Sequence, residues 1–204
     1  MKEYIIYNYD KILSLFFDHI VIVFITVMIS IIISGMITIF VLPFENLSNI
    51  VVRIFSGIYA IPSLALFALL IPILGIGNIN AIFVLVLYNQ FLLLRNFIVG
   101  LKNIPYDVIN AGIGLGYNDK QLFINIKLPL AMPMILSGIQ LSFVSSIGIA
   151  TIASVIGAHG LGDILFDGLR THNNYKLMTG IILSATLAIS VNALFNFLKR
   201  KTFY

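Results

Sequence analysis

The sequence contains no cysteine and no tryptophan, and it has few charged residues. Asp, Glu, Lys and Arg make up 10% of its 204 residues, whereas hydrophobic residues make up 60% and the mean hydropathy is +1.06. The missing cysteines exclude disulfide bonds, thiolate metal sites and a thiol nucleophile. The scarcity of charge excludes a disordered chain and a soluble globular domain, in which about 25% of the residues are charged. The composition therefore predicts an integral membrane protein.

Long gaps between charged residues locate the membrane-spanning helices. A helix needs about 20 apolar residues to cross a hydrocarbon core of roughly 30 Å. Four gaps are long enough. The gap from Ile54 to Leu94 has room for two spans, one on each side of a turn at Gly75–Asn78. The sequence thus predicts an all-α integral membrane protein with about five spans, near residues 20–42, 54–74, 79–99, 130–156 and 177–198.

The distribution of Lys and Arg predicts the orientation in the cell membrane. When the loop at 100–129 is placed inside, eight Lys and Arg residues lie on the inner side and four on the outer side. Cytoplasmic loops carry an excess of these residues. We therefore expect residues 1–18 to form an external segment and residues 199–204 to form a cytoplasmic basic tail. Basic residues scattered over both faces do not form a nucleic-acid-binding surface, so no nucleic-acid partner is predicted.

The loop at 100–129 is predicted to begin with a short helix. Asn103 is expected to cap a helix over Pro105–Gly112, because a proline in the first turn sacrifices no hydrogen bond. Gly114 and Gly116 are expected to end this helix, since glycine accepts the left-handed conformation at a helix C-terminus.

A second short helix is predicted after the glycines. Asn118 is followed by Gln121 at the spacing of a capping box. This helix is expected to stop before Pro129, because proline disfavours helical geometry in the residue before it. Two short helices joined by a glycine turn would form a rigid knob on the cytoplasmic face.

The sequence of this loop resembles the coupling loop of binding-protein-dependent ABC importer permeases. The family motif reads Glu-Ala-Ala, three residues, Gly, nine residues, Ile, one residue and Leu-Pro. The aligned positions in this chain are Asn110, Ala111, Gly112, Gly116, Ile126, Leu128 and Pro129. Asn110 replaces the family's glutamate and Gly112 replaces its second alanine, so the glutamate's charged contact to an ATPase has no counterpart here.

Other segments resemble one branch of that family, the permeases for glycine betaine, carnitine and choline. Ile61–Leu66 and Leu70–Gly77 look like the second span of this branch, and Leu87–Asn96 looks like the third. Gly148–Gly162 is similar to the fourth span and the outer segment that follows it. The resemblance covers residues 19–198 and implies a type I ABC importer permease domain there.

The resemblance implies a subunit of an ATP-driven importer for a quaternary-amine osmoprotectant. Its partners would be cytoplasmic ATPase subunits, a second permease subunit (identical or paralogous), an external substrate-binding protein and the lipid bilayer. The chain has no G-x-x-x-x-G-K-[ST] motif, so ATP and Mg²⁺ are expected on the ATPase, with no cofactor or enzymatic activity on this chain. Pro105 and the seven aligned motif positions are the implied coupling residues.

Aromatic, proline and amide residues within the spans are candidates for the translocation pathway. Aromatic faces attract quaternary ammonium ions, and proline opens the local backbone. Amides at membrane depth are energetically costly, so their presence there indicates a function. The candidates are Tyr59, Pro62, Tyr88, Asn89, Gln90 and Gln140. Packing between helices is the alternative role for each of them. The histidines and carboxylates after residue 158 fit no zinc spacing, so no metal site is predicted.

Two other functions stay open at this point. The same kind of importer permease would serve another small solute, such as an amino acid or a thiol-bearing betaine. A channel or scaffold protein would need no ATPase, although a rigid cytoplasmic knob has no use in a passive pore.

Overall fold

The computed structural model of the chain describes residues 2–203 and the side chains of residues 4–201. Met1 and Tyr204, at the ends of the predicted external segment and basic tail, lie outside the described residues. Within the described range the chain forms helices and turns and no strand, which confirms the all-α prediction. The helices are α1 Lys2–Tyr7, α2 Tyr9–Val41, α3 Glu45–Ala60, α4 Ser63–Leu74, α5 Asn78–Lys102, α6 Tyr106–Gly114, α7 Asp119–Leu122, α8 Leu128–Ala153, α9 Leu161–Arg170 and α10 Asn174–Phe203.

Four stretches of the described residues are long and apolar enough to cross a membrane as single helices. They are α2, α5, the continuous helix Asp119–Ile156 and α10. A fifth span is formed if α3 and α4 cross together as one bent pair. The prediction of about five membrane-spanning helices is confirmed on this basis, and the predicted turn lies between Leu74, where α4 ends, and Asn78, where α5 begins.

The predicted span near 54–74 is wrong as a single helix. The helix α3 begins much earlier, at Glu45, and ends at Ala60, and the axis of α4 is bent by 95° from it. Ile61 and Pro62 between them have extended backbones, with ψ of 133° and 132°. Proline drives the preceding residue out of the helical region and has no N–H to donate, so Pro62 accounts for the break.

The prediction that a helix stops before Pro129 is also wrong. The helix α7 continues through a π-helical turn, Phe123–Lys127, directly into α8, and the N–H of Leu128 donates to the carbonyl of Phe123. Leu128 keeps helical angles (φ −64°, ψ −48°) although a proline follows it. A π turn is wider than an α turn, which gives the proline ring room that a regular turn would deny it.

The helix α5 lies at the centre of the fold. It packs against α2, α3, α4 and α8, and Leu85, Leu93 and Leu94 on it are fully buried. The short helix α9 packs on α10, and α10 also packs on α8. The centre of the chain is therefore a long buried helix, whose neighbours include both the bent pair α3–α4 and the helix that continues from α7.

Candidate functional site

The segment between α5 and α8 begins with a proline-capped helix. Pro105 precedes α6 with an extended backbone (φ −56°, ψ 136°), and α6 runs to Gly114, two residues beyond the predicted end at Gly112. The expected N-cap at Asn103 is wrong, because Asn103 ends α5 and its N–H donates to the carbonyl of Val99 at 3.0 Å. Pro105 disfavours helical geometry in the residue before it, so α6 cannot begin as early as Asn103 predicts.

Gly112 is the point at which α6 packs on the chain that leads into α8. It is buried, and a Cβ atom added there would lie 2.6 Å from Ile126 Cδ1 and 2.7 Å from Leu122 Cδ2. These distances leave room for little more than a hydrogen unless the two side-chain ends move. The structure therefore brings together Gly112 and Ile126, two of the positions aligned with the family motif.

The turn between α6 and α7 confirms two expectations from the sequence. Gly116 adopts φ +82°, in the left-handed region that favours glycine, whereas the same expectation for Gly114 is wrong, because Gly114 is the last helical residue of α6 and has no positive φ. Asn118 and Gln121 form a reciprocal capping box, in which the Gln121 N–H donates to Asn118 Oδ1 at 2.9 Å and the Asn118 N–H donates to Gln121 Oε1 at 3.0 Å. The knob has a fixed shape because its turn and its second helix are both hydrogen-bonded locally.

The surface of this knob exposes polar side chains, among them Asp107, Asp119 and Lys120, and also large apolar ones. Tyr106 is 73% exposed, Ile113 is 56% exposed and Leu115 is 76% exposed, and Asn110 and Ala111 beside them are exposed as well. Several large apolar side chains exposed on one short segment favour a protein–protein contact there. We name α6, α7 and the turn that joins them the coupling knob.

A second group of residues surrounds the break between α3 and α4. The hydroxyl of Tyr88 on α5 donates to the carbonyl oxygen of Ile61 at 2.7 Å, which satisfies an acceptor that the break leaves free. Tyr59, on the last turn of α3, packs edge-on against Tyr88, with ring centroids 5.5 Å apart. Pro62 is exposed at the break itself. The structure thus places Tyr59, Pro62 and Tyr88 together.

Two further residues extend this group along α5. The Tyr59 ring packs at 5.1 Å from Phe91, and the guanidinium carbon of Arg95 lies 5.9 Å from the centre of the Phe91 ring. Tyr88, Phe91 and Arg95 follow one another at helical spacings and share one face of α5. Phe91 and Arg95 are not among the residues predicted for this group, although their spacing from Tyr88 is visible in the sequence. We name Tyr59, Tyr88, Phe91 and Arg95 the aromatic stripe.

The amide candidates on α5 bind neighbouring helices. Asn89 and Ser146 exchange hydrogen bonds at 2.9 and 3.2 Å, which joins α5 to α8. Ser34 donates to Gln90 Oε1 at 2.7 Å, which joins α5 to α2. Asn89 is 1% exposed and Gln90 is 2% exposed. Both side chains therefore lie between helices, behind the aromatic stripe.

Gln140 belongs to a separate polar group. Its amide donates to the side-chain oxygens of Asn192 and Asn196 on α10, and its carbonyl oxygen accepts a hydrogen bond from Lys199. Lys199 also donates to Ser137 at 3.3 Å. This group joins α8 to the C-terminal half of α10, and Gln140 does not meet the other pathway candidates.

Comparison with known families gives one match that covers most of the chain. The model of the family described as "Binding-protein-dependent transport system inner membrane component" matches residues 26–204.

Relatives of characterised function give a second comparison. The choline transport system permease protein OpuBB of Bacillus subtilis is 31% identical over 194 residues, which is 95% of this chain and 89% of that protein. The carnitine transport permease protein OpuCB of Listeria monocytogenes is 38% identical over 146 residues, 72% of this chain and 67% of that protein.

A relative with higher identity is a longer protein. The ergothioneine transport permease/ergothioneine binding protein EgtU of Helicobacter pylori is 43% identical over 132 residues, 65% of this chain. The match spans only about a quarter of that relative's length, 24%.

Solved structures give the third comparison. A chain from an inward-facing structure of the MetNI methionine ABC transporter superposes with a TM-score of 0.83 at 19% identity, and the match covers 100% of both chains. At this identity the similarity shows the fold alone.

Proposed function

Because the chain belongs to the family of binding-protein-dependent transport system inner membrane components, we propose that it carries a quaternary-amine osmoprotectant, such as glycine betaine, carnitine or choline, across the cell membrane. OpuBB is named a choline transport permease and OpuCB a carnitine transport permease, and both are similar to most of this chain. The aromatic stripe supports the same substrate class, since aromatic faces attract quaternary ammonium ions.

The single observation that carries the proposal of ATP-driven transport is the geometry of the coupling knob. The knob presents exposed apolar side chains on a locally hydrogen-bonded turn. Its second helix leads without a break into α8. A partner that grips the knob would therefore move a membrane-spanning helix directly. We assign the partner as a separate cytoplasmic ATPase, which binds ATP and Mg²⁺, while this chain binds no cofactor and catalyses no reaction.

The coupling residues have distinct roles in this proposal. Pro105 starts α6, and Asn110 and Ala111 lie exposed on its contact surface. The other five positions set the shape of the knob and its connection to the membrane span. Gly116 turns the chain, Gly112 packs on Ile126, and Leu128 and Pro129 begin α8.

Closure of the ATPase subunits would displace the knob and tilt α8. The helix α8 packs on α5, which carries three members of the aromatic stripe, so a shift of α8 reaches the residues beside the α3–α4 break. Tyr59, Pro62 and Tyr88 at the break are the proposed pathway residues. Asn89, Gln90 and Gln140 hold the helices around that pathway through their hydrogen bonds.

The complete transporter in this proposal contains further proteins. A second permease subunit, identical or paralogous, completes the pathway, and an external binding protein delivers the substrate. The N-terminus lies outside and the C-terminus inside, as the distribution of Lys and Arg favours.

A thiol-bearing betaine is the second candidate substrate. The observation that favours it is the 43% identity with the permease/binding protein whose name gives ergothioneine.

The test is uptake of radiolabelled glycine betaine by cells with and without this gene at high external osmolarity, in a strain without other betaine carriers. Unlabelled carnitine, choline and ergothioneine serve as competitors, and ATP-depleted cells serve as the control. We expect ATP-dependent uptake that disappears with the gene. Gene-dependent uptake of labelled ergothioneine without uptake of glycine betaine would assign the second candidate, and glycine betaine uptake unaffected by deletion would contradict the quaternary-amine assignment.

A further inference from the structure

A cleft opens between α8 and α10, next to the basic C-terminal end of α10. Its volume is about 710 Å³. Met134 and Ser137 on α8 line it, together with Asn196, Phe197, Lys199 and Arg200 on α10. Met134 is 38% exposed and Phe197 is 63% exposed, so the apolar wall of the cleft is open at the surface of this chain. The cleft therefore combines a basic end with apolar walls.

The basic end of this cleft lies at the level of the lipid head groups. The last uncharged stretch of the sequence, Leu177–Leu198, is about 33 Å long as a helix, which matches a hydrocarbon core of roughly 30 Å. Lys199 and Arg200 follow this stretch directly, within α10. Their depth in the membrane thus follows from length alone, whichever side of α10 faces the transport pathway.

The ammonium group of Lys199 is held in place by α8 and still has one donor to spare. It donates to Ser137 Oγ at 3.3 Å and to Gln140 Oε1. The amide of Gln140 is itself held by Asn192 and Asn196. An ammonium group has three N–H donors, so one remains after these two hydrogen bonds. Lys199 is therefore a fixed cation that can bind one more acceptor in the cleft.

The described residues supply no carboxylate to this basic end. None of those that line the cleft is acidic, and the ion pairs of the described chain all lie within residues 159–176. Arg200 is exposed beside Lys199. The cleft thus carries two positive charges that the described part of the chain does not neutralise. Basic residues at a membrane surface attract anionic lipids, so the surroundings of the cleft supply the missing charge.

We infer that this cleft binds an anionic phospholipid. Its phosphate group accepts hydrogen bonds from Lys199 and Arg200, and an acyl chain lies along Met134 and Phe197. Basic pockets between membrane helices bind phospholipid head groups in this way. An anionic lipid is favoured over phosphatidylethanolamine, because the ammonium group of the latter meets two like charges. The bound lipid joins α8 to α10 at the end of the membrane span.

The test uses tryptophan fluorescence, because this chain has no tryptophan. Phe197→Trp places a reporter on the apolar wall of the cleft. The purified permease, with the subunits that copurify with it, is placed in nanodiscs of phosphatidylglycerol and phosphatidylethanolamine. One of the two lipids carries brominated acyl chains, which quench tryptophan on contact, and protein without the reporter gives the background. We expect phosphatidylglycerol to be preferred at the reporter by about tenfold, the effect of a charge-assisted hydrogen bond.

Two variants and a second reporter isolate the basic end. Arg200→Gln leaves the hydrogen bonds of Lys199 intact, and the preference should fall by about fivefold, the effect of one basic residue at a membrane surface. Lys201→Gln is the matched control, since Lys201 is exposed and does not line the cleft, and we expect the wild-type preference. Phe40→Trp reports from an exposed position on α2, where both lipids should quench equally.

Four results would overturn the inference. If neither lipid quenches Phe197→Trp, another subunit covers the cleft, and if both quench it equally, the cleft faces lipid without binding an anion. An equal loss of preference in Arg200→Gln and Lys201→Gln would assign the effect to the basic tail as a whole. A preference abolished by inorganic phosphate, but not by chloride at the same ionic strength, would assign the site to free phosphate. The measurement requires no transport, so failure of the proposed function leaves it unaffected.

Discussion

Gly112 shows how one small side chain shapes the coupling knob. The absent side chain lets α6 approach Leu122 and Ile126, and the atoms that a Cβ would meet are the mobile ends of those two side chains. A methyl group there requires only that these ends rotate, whereas a larger side chain has no space. The alanine in the related family motif is consistent with the same close contact.

Substitutions at Gly112 should therefore depend on size. We expect Gly112→Ala to keep ATPase copurification and transport, and Gly112→Leu to lose both, because overpacking of this contact costs about 1–3 kcal/mol. Gly114→Leu is the matched control, since a Cβ at Gly114 in the same helix meets no atom within 4 Å. Copurification with the ATPase on an affinity tag measures the effect. Equal copurification of the ATPase with Gly112→Leu and Gly114→Leu would show that the packing of α6 on α7 does not affect ATPase binding.

Asp167 joins helix α9 to α10. Its carboxylate accepts hydrogen bonds from Lys176 at 2.7 Å and from Arg170 at 3.1 Å, and these two bonds lower the pKa of Asp167. The unfolded chain has a carboxyl pKa near 3.9. Because the folded pKa is the lower one, the ionised group adds stability above about pH 4, and this stability is lost as the pH falls through the folded pKa.

We expect Asp167→Asn to lower the thermal stability of the complex slightly at pH 7, by about 0.2–1 kcal/mol, since ion pairs that water still reaches contribute little. The difference from wild type should shrink as the pH is lowered below about 4. Asp10→Asn, at an exposed position on α2, is the control. A difference in melting temperature that stays constant over the whole pH range would contradict the ion-pair explanation.

At the scale of the elements, α7 continues through the π turn into α8, and in the proposed mechanism this continuity carries a displacement of the knob into the membrane span. A flexible loop would absorb a displacement of the knob, whereas a hydrogen-bonded helix transmits it. The turn at Gly116 is the one place in the knob where the backbone requires a left-handed conformation.

Gly116→Pro should abolish transport and leave membrane insertion intact. Proline holds φ near −65°, far from the +82° observed, and it has no N–H to replace the Gly116 donor to the Ile113 carbonyl. Uptake and membrane-fraction abundance of the same variant measure the two effects. Transport at the wild-type rate would remove the coupling knob from the mechanism.

The elements also show what the sequence predicts and where it fails. Apolar run length predicted the all-α fold and the number of spans, because hydrocarbon thickness alone sets those lengths. The expectation that proline ends a helix holds at one position and fails at others. Pro62 breaks a helix, whereas Pro72 and Pro129 lie inside one. The local preference is the same at each proline, and hydrogen bonding and packing around it decide the outcome.

The candidate site was predictable only in part for the same reason. The capping box and the Gly116 turn depend on neighbouring residues and could be predicted from spacing. The aromatic stripe joins α3 to α5 across the bend, so Tyr59 meets Phe91 only after the chain has folded. Patterns of neighbouring residues in the sequence cannot predict that contact.

At the scale of the whole molecule, the distribution of charge predicts the topology. Cysteine labelling tests it without background because the chain has no cysteine. We expect Asp10→Cys to react with a membrane-impermeant maleimide in intact cells and Lys201→Cys to react only after permeabilisation. The reverse pattern would overturn the orientation and place the coupling knob on the wrong side for a cytoplasmic ATPase.

The most direct test of the central claim is transport by the purified complex in liposomes, with the binding protein and labelled glycine betaine outside and ATP inside. The account predicts accumulation above the external concentration that requires both ATP and the binding protein. Equilibration of the label without ATP would contradict it and identify the chain as part of a passive channel.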